Sequence, residues 1–462
     1  MFVGRKKELE SINSFLNSNG ALLVYGLRRI GKTTLIKKAL NDSGKKYVYF
    51  ECQKTSEENN VKMFVEILVE QLDFIDAKFD TFLSVFKVLD KNYHDYVFVI
   101  DEYSYIKQYY LESKAIINKE NSERIDSEFQ LIVDNYLNNI ELIISGSTIH
   151  IMKSLLEHTN PLYGRFNDII VLNEFNYLEA KEMLSDIPEK DFIGFYSVFG
   201  GSPFVLDKID VKKKLDANII NLIINETGKI RIHLNNNVIN ELGMDPDLQD
   251  ILQVICNGSK KYSEIESFCN ITTPGLLDKK LKKLLNLGII MEKYPIGKEN
   301  DKRKKYYQIK NNLLKFYYAY VFRKENLINL LGEERFYDVY IASSINTFIS
   351  LRFENMVRDY FSIAIRKGMY KDIIEIGSYF TGNSEFDCVL KTNNNEYIIY
   401  EVKNYSKPIE DSIIKKEIMQ VKNIVGLNVT KMGIVSSSGF KNKDLDVDYL
   451  ELDDLFFKKK LD

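Results

Sequence analysis

Cysteine and histidine are scarce in this chain. Among 462 residues there are four cysteines (Cys52, Cys256, Cys269 and Cys388) and four histidines. The cysteines are scattered and form no CxxC pair. This argues against a disulfide framework and a structural zinc site, and makes a reducing cytoplasm the expected compartment. So few histidines also weaken any His-rich metal reading. Long apolar runs are missing: none approaches the roughly 18 residues of a membrane span. The opening MFVGRKKELE has no apolar signal core, which argues against a secretory route. Neither sign of charge dominates, with 63 basic and 66 acidic side chains and a net charge of −3. Nucleic-acid contact must then come from a local basic face rather than a global field. No internal repeat is evident. What remains is 45% apolar and 28% charged, the composition of a globular chain long enough for two to four domains.

The order of elements predicts an α/β chain in four parts. From residue 1 to about 175, short apolar runs alternate with helical periodicity. The runs are Ala21–Tyr25, Tyr47–Glu51, Tyr96–Ile100, Glu141–Ser145 and Asp168–Leu172. Strand–helix alternation of this kind predicts a parallel sheet wrapped by helices. Residues 176–246 read as mostly helical. Residues 247–334 read as a basic helical segment with two strands and a connecting helix, and 335–462 as mixed α and β. Weak boundaries fall near Gly200-Gly201-Ser202-Pro203, near Met244-Asp245-Pro246 and around 325–338.

The strongest motif is Gly26-Leu27-Arg28-Arg29-Ile30-Gly31-Lys32-Thr33, which fits GxxxxGK[ST] between a strand and a helix that continues through Thr34. Glycines let such a loop fold tightly, so that its N–H groups point at phosphate oxygens. The helix N-terminus adds partial positive charge. Lys32 can reach the β- and γ-phosphates of ATP, and Thr33 can ligate Mg²⁺. The strand Tyr96–Ile100 ends in Asp101-Glu102. Asp101 would hold Mg²⁺ through water, and Glu102 would act as general base on the attacking water. A third strand ends in Ser145-Gly146-Ser147-Thr148, where Ser145 or Ser147 could orient that water or simply cap a helix. Arg165, in a loop before the last strand, could supply charge to a γ-phosphate in its own subunit or a neighbour's. A salt-bridged surface arginine is the plain alternative.

GLRRIGKT, VFVIDE, SGST and PLYGRF, in that order, resemble the archaeal ATPase family, which belongs with the STAND branch of the AAA+ NTPases. Phe2-Val3-Gly4-Arg5 with Glu8-Leu9 resembles that family's adenine-side box. Phe199-Gly200-Gly201-Ser202-Pro203 resembles the GGxP turn of its helical lid. The resemblance implies a five-stranded sheet with the phosphate-loop strand central, ATP as ligand and conformational change as output. Arg28 and Arg29 match the family's double arginine, as phosphate contacts or as structural ion pairs.

Residues 247–310 have the layout of a winged helix. Leu248, Ile251, Leu252 and Ile255 make one apolar helix face. Tyr262–Phe268 is a second helix and Pro274–Leu287 a third, with Lys279, Lys280, Lys282 and Lys283 facing outward. Ile289–Lys293 and Tyr306–Ile309 would form a wing, with Lys298, Lys302, Arg303, Lys304 and Lys305 at its tip. Such a module can place a helix in the major groove of DNA and a wing on phosphates, or serve as a lid or protein contact.

In the last part, Asp372–Tyr379, Glu385–Lys391 and Glu396–Lys403 read as consecutive strands after an amphipathic helix, Arg352–Ile365. Period-2 spacing puts Glu401 and Lys403 on one face, and Asp387 can lie beside them from the adjacent strand. Two carboxylates and a lysine can hold a divalent metal and activate water for phosphodiester cleavage. Glu354 could add a further oxygen, and Gln420 could approach from a following helix. Asp387 followed by Glu401-x-Lys403 on an αβββαβ order resembles PD-(D/E)XK nucleases, with Phe386 in place of the usual proline. A hairpin with a salt-bridged Glu401 and Lys403 is the plain alternative. The expected partners are ATP or ADP, DNA and a homo-oligomer formed in the ATP state, with no membrane. The leading expectation is a nucleotide-controlled ATPase acting on DNA. The alternative is a signalling switch whose C-terminal domain binds without cutting.

Overall fold

The computed structural model describes residues 2–112, 116–239, 245–299, 301–381, 384–424 and 426–458. The chain forms two compact units, Met1–Glu174 and Phe175–Asp462.

The first unit is built on five parallel strands: β1 (Gly20–Gly26), β2 (Lys46–Glu51), β3 (Tyr96–Asp101), β4 (Ile140–Gly146) and β5 (Asp168–Leu172). Alternate side chains feed two cores. Leu23, Phe98, Ile100, Leu142 and Ile144 pack on one face, and Leu22, Val24, Val97, Val99 and Ile143 on the other. A strand buried on both faces needs a nearly unbroken apolar run, which is why these segments stand out in the sequence. The order is β2-β3-β4-β1-β5. The phosphate-loop strand is therefore interior but not central; the middle position belongs to β4. The register explains the correction: β4 must lie between β1 and β3 for its end to reach both the loop and the carboxylates.

The second unit holds the other three expected parts. One continuous apolar core runs from Phe175 and Tyr177 through Phe199, Leu252, Leu281, Phe316 and Phe353 to Leu455. The expected break at Gly200-Gly201-Ser202-Pro203 lies inside this core: Phe175 N–H donates to the Gly201 carbonyl at 2.9 Å. A Cβ on Gly201 would meet the Phe175 carbonyl oxygen at 2.0 Å, so this glycine marks a close approach, not a linker. Residues 325–338, the other expected weak boundary, also lie within this core. They fall in the helices Glu325–Leu331 and Glu333–Tyr340, whose Ile328 and Phe336 are buried in the same core. Met244, part of the third expected boundary, lies outside the described residues.

The helices Pro246–Ile255, Tyr262–Phe268 and Leu276–Asn286 are joined by a small sheet of β6 (Lys260–Lys261), β7 (Ile290–Lys293) and β8 (Tyr306–Ile309), in the order β6-β8-β7. The segment after β7 is anchored. Ile296 N–H donates to the Ser378 carbonyl at 3.0 Å, and the rings of Tyr306 and Phe380 meet edge to face at 4.8 Å.

Ser378 and Phe380 belong to β9 (Ile373–Thr381), the edge of a second five-stranded sheet. β9, β10 (Ser384–Thr392) and β11 (Tyr397–Lys403) form an antiparallel meander after the long helix Ile345–Arg366. The helix Asp411–Lys422 then leads to β12 (Val429–Ser436), parallel to β11. The observed order of elements is αβββαβ, extended by a strand that the sequence pattern does not announce, β13 (Asp448–Leu450).

Candidate functional site

The phosphate loop joins β1 to the helix Lys32–Ser43. Its two glycines do different work. A Cβ on Gly26 would come within 2.4 Å of the Leu172 carbonyl oxygen on β5, and Gly31 adopts a φ of 94°. Both conditions favour glycine on steric grounds. Arg29 shares the left-handed region, with a φ of 63°. Ile30 plugs the loop into the core, whereas Arg28, Arg29 and Thr34 are exposed and Leu27 is half-buried. Arg28 lies over the Tyr105 ring, 5.6 Å from its centre. The residues of the proposed adenine-side box brace the same loop: Arg5 is buried and donates to the carbonyls of Ile30 and Asn173.

Lys32 is only 5% exposed, and its Nζ donates to the carbonyls of Gly26 (3.1 Å) and Leu27 (3.2 Å). It also lies 3.8 Å from Glu102 Oε1. Thr33 Oγ1 donates to Asp101 Oδ2 at 2.9 Å. The expected neighbours are thus together at the C-terminal ends of β1 and β3. Asp101 is 1% exposed, and its other donors are the Glu102 N–H (2.9 Å), Ser145 Oγ and the Tyr49 hydroxyl. Ser147 donates to Glu102 Oε2 through both its N–H (2.9 Å) and its Oγ (2.7 Å). The two serines at the end of β4 therefore divide their work, Ser145 on Asp101 and Ser147 on Glu102. Glu102 itself is held at a φ of 51°, a conformation in which a non-glycine residue is strained.

Tyr49 was not anticipated. Burial first, and the Asp101 carboxylate second, raise its phenol far above the ordinary range, so it remains a donor. Tyr49 lies on the neighbouring strand β2, paired with Val99 and two residues before Glu51, which pairs with Asp101.

Arg165 requires correction as a contact to the phosphate of its own chain. Its Nε pairs with both Asp134 oxygens at 3.0 Å, and Nη1 donates to the Pro161 carbonyl at 2.7 Å. It precedes β5, whose first residue aligns with Leu22 near the start of β1. In a parallel sheet that is the end opposite the phosphate loop.

The second set of predicted residues also gathers. Cys388 faces Tyr400 across β10 and β11, which brings Asp387 and Glu401 alongside each other one step further on. Asp387 Oδ2 accepts from the Val402 N–H at 2.9 Å. Lys403 Nζ is 3.1 Å from Glu401 Oε2 and 3.1 Å from Glu417 Oε1. Glu417 replaces Gln420 here: both lie on the helix Asp411–Lys422, but Gln420 is exposed. Glu401 is 4% exposed, and its Oε1 has no hydrogen-bond partner among the described residues. Burial, then the charge of Asp387, raises both Glu401 and Glu354 above the ordinary carboxylate range. Burial also raises Asp387, against the opposing pull of the Val402 N–H and of Lys403. Burial alone would lower the Lys403 amine, but Glu401 and Glu417 outweigh it and hold the amine charged. Arg358, on the same helix as Glu354, donates to the Asp387 carbonyl. Among the described residues, no group of three or more His, Cys, Asp or Glu side chains converges closely enough to hold a metal by itself.

Part of the basic charge of the helical segment is paired within the segment. Lys280 pairs with Asp245 and Asp247, at 2.7 and 3.0 Å, and does not face outward freely. Arg303 pairs with Asp301 and Lys305 with Glu292. Lys279, Lys282 and Lys283 are exposed.

Comparison with known proteins matches two separate stretches of the chain. Residues 2–209 match a family described as an ATPase domain predominantly from Archaea, and residues 317–418 match a family of archaeal and bacterial proteins of unknown function. An uncharacterized protein of Methanocaldococcus jannaschii is 26% identical over 443 residues, covering 93% of each chain. An uncharacterized ATP-binding protein of the same organism is 52% identical over 44 residues, 9% of this chain and 75% of that one. The Walker-type ATPase of Pyrococcus abyssi superposes with a TM-score of 0.52 at 17% identity, covering 69% of this chain and 96% of that one.

Proposed function

We propose that the chain binds and hydrolyses ATP with Mg²⁺ at the ends of β1, β3 and β4, and that nucleotide state controls a DNA-directed activity of the second unit. The observation that carries the first half is the Thr33–Asp101 hydrogen bond with Glu102 beside Lys32. Those residues fit Mg²⁺, because a hydroxyl and a carboxylate already share one position and hard oxygen donors suit that ion. The ion would supply charge neutralisation at the phosphates. Lys32 would turn from the loop carbonyls to the phosphate oxygens. Glu102, anchored by Ser147, would accept the proton of the attacking water.

In the second unit, three helices with a small sheet support the reading of a winged helix, and αβββαβ supports a PD-(D/E)XK-like domain. The unpartnered Glu401 Oε1 and the crowded carboxylates favour a divalent cation held by Asp387 and Glu401. Lys403 would then steady a water or a phosphate oxygen. The ion pairs from Lys403 to Glu401 and Glu417 support a second reading, a domain that binds without cutting. Incubating the protein with supercoiled plasmid, Mg²⁺ or Mn²⁺ and ATP separates the two. Nicking that disappears in Glu401→Ala supports cleavage. ATP turnover stimulated by DNA without any nicking supports the switch.

A further inference from the structure

The strand β3 ends at Asp101, and the chain turns through Glu102 into the helix Ser104–Glu112. Glu102 makes that turn with a φ of 51°. A side-chain-bearing residue keeps such a conformation only where its surroundings over-determine it. Ser147 supplies part of the restraint by holding the Glu102 carboxylate. The rest comes through the next residue. The Tyr103 N–H donates to the Ser145 carbonyl on β4 at 2.9 Å, and the Tyr105 N–H donates to the Glu102 carbonyl at 2.8 Å. The Tyr103 ring is fully buried and meets the Phe129 ring edge to face at 4.8 Å. Its hydroxyl donates to Asp126 Oδ1 at 2.7 Å.

Asp126, on the helix Ile116–Asn135, is only 2% exposed. Its second oxygen, Oδ2, accepts from Lys107 Nζ and, at 2.7 Å, from Asn160 Nδ2. Lys107, one turn into the helix Ser104–Glu112, is buried as well. The Asn160 side chain in turn accepts from the Leu162 N–H at 2.9 Å, in the loop that carries Arg165. One buried carboxylate thus fastens three segments: the turn after β3, the helix that follows it and the loop before β5. A well-packed apolar pair often fills such a space with no loss of stability. What the hydrogen-bonded carboxylate adds is direction, because a fully satisfied buried network fixes the angle of each member as well as its place. Here the member nearest the nucleotide site is Tyr103, adjacent to Glu102.

We propose that Asp126 is a positioning residue for the Glu102 carboxylate, acting through the Tyr103 hydroxyl. The assignment rests on the reading of Glu102 as the base in ATP hydrolysis. In that reading the phosphate loop holds the nucleotide, so Asp126 acts on turnover and not on affinity. Lys107 and Asn160 keep the Asp126 carboxylate in its orientation, one from each side of the turn and loop that it joins.

ATP turnover and fluorescent-nucleotide affinity, measured together on the full chain, test this in Tyr103→Phe, which removes the hydroxyl and keeps the buried ring. We expect kcat to fall at least about tenfold, the kind of loss that a small misplacement of a reacting group produces. Nucleotide affinity should stay that of wild type. Asp126→Asn should act in the same direction, and takes the place of Tyr103→Phe should that variant fail to fold. The Glu102→Gln background separates positioning from a general loosening of the core. The base is already gone there, so the added substitution should lower the residual turnover no further. An equal fold loss in both backgrounds makes Asp126 a core residue alone and overturns the proposal. So does an unchanged kcat in both variants, or a loss of nucleotide affinity that accounts for the lost turnover. Wild-type turnover that is absent, or that survives Lys32→Ala, overturns the ATPase reading and this assignment with it, whereas the preceding outcomes overturn this assignment alone.

Discussion

Two sets of carboxylates and a lysine sit at strand ends in this chain, and their surroundings differ. Asp101 receives donors from Thr33, Ser145, Tyr49 and the Glu102 N–H, drawn from the helix after β1, from β4 and β2, and from the end of β3. Glu401 has one lysine, a neighbouring aspartate and an oxygen with no partner among the described residues. In the first set the protein has supplied donors in advance, which holds the carboxylate in a fixed orientation. In the second, negative groups crowd one another in a buried place, which favours protons or an added cation. A satisfied site works by position. A crowded one depends on what binds.

The comparison breaks first, and most completely, at Lys32. Lys32→Ala should abolish ATP binding and hydrolysis, measured by a fluorescent nucleotide and by phosphate release. Tight nucleotide binding by this variant would show that the donors around Asp101 serve structure alone. A smaller effect should follow from Tyr49→Phe, which removes one donor from Asp101. Half-saturation by Mg²⁺ in the ATPase assay should rise about tenfold, the size usual for partners of metal-holding carboxylates. An unchanged Mg²⁺ requirement would mean that Asp101 does not hold the ion.

Smaller again is the expected change at the three exposed lysines of the helix Leu276–Asn286. Replacing Lys279, Lys282 and Lys283 by alanine should weaken binding to duplex DNA and reduce the salt slope by about one for each phosphate no longer neutralised. A slope identical to wild type would remove that helix from any DNA interface. The smallest effect concerns pH. Glu401 is raised in the folded state, so the folded protein holds a proton that the unfolded chain releases. Its stabilising contribution is present at low pH and is lost as pH rises from the ordinary carboxylate value through the raised one. Glu401→Gln should therefore gain stability relative to wild type as pH rises through that window, read by denaturant unfolding without divalent metal. Added Mn²⁺ should narrow the gap by stabilising wild type alone. A pH-independent difference would show that neither burial nor the charge of Asp387 raises Glu401.

Much of the first unit was legible because its inner strands, β1, β3 and β4, are buried on both faces and its loop must be glycine at two positions. GLRRIGKT and VFVIDE carry those demands in consecutive letters. Arg165 misled because a loop arginine carries no mark of which end of a parallel sheet it occupies. The order of strands in space was also hidden: β4 comes fourth in sequence and third across the sheet. In the second unit the alternation around Asp387 and Glu401 gave the strands and their shared face. Glu417 was missed because on a helix the difference between it and Gln420 is a rotation, fixed only by packing of Ile414 and Val421 against the sheet. Asp126 was missed as well. An aspartate amid charged and polar helix residues reads as a surface position until tertiary packing encloses it.

The central claim, that Lys32 binds the phosphates and Glu102 acts on water, is tested most directly by measuring ATP affinity and turnover together for Glu102→Gln. Affinity should stay near that of wild type while turnover falls by about 10²-fold or more, as expected when a general base is removed. Turnover close to wild type, or a loss of binding equal to that of Lys32→Ala, would contradict the assignment.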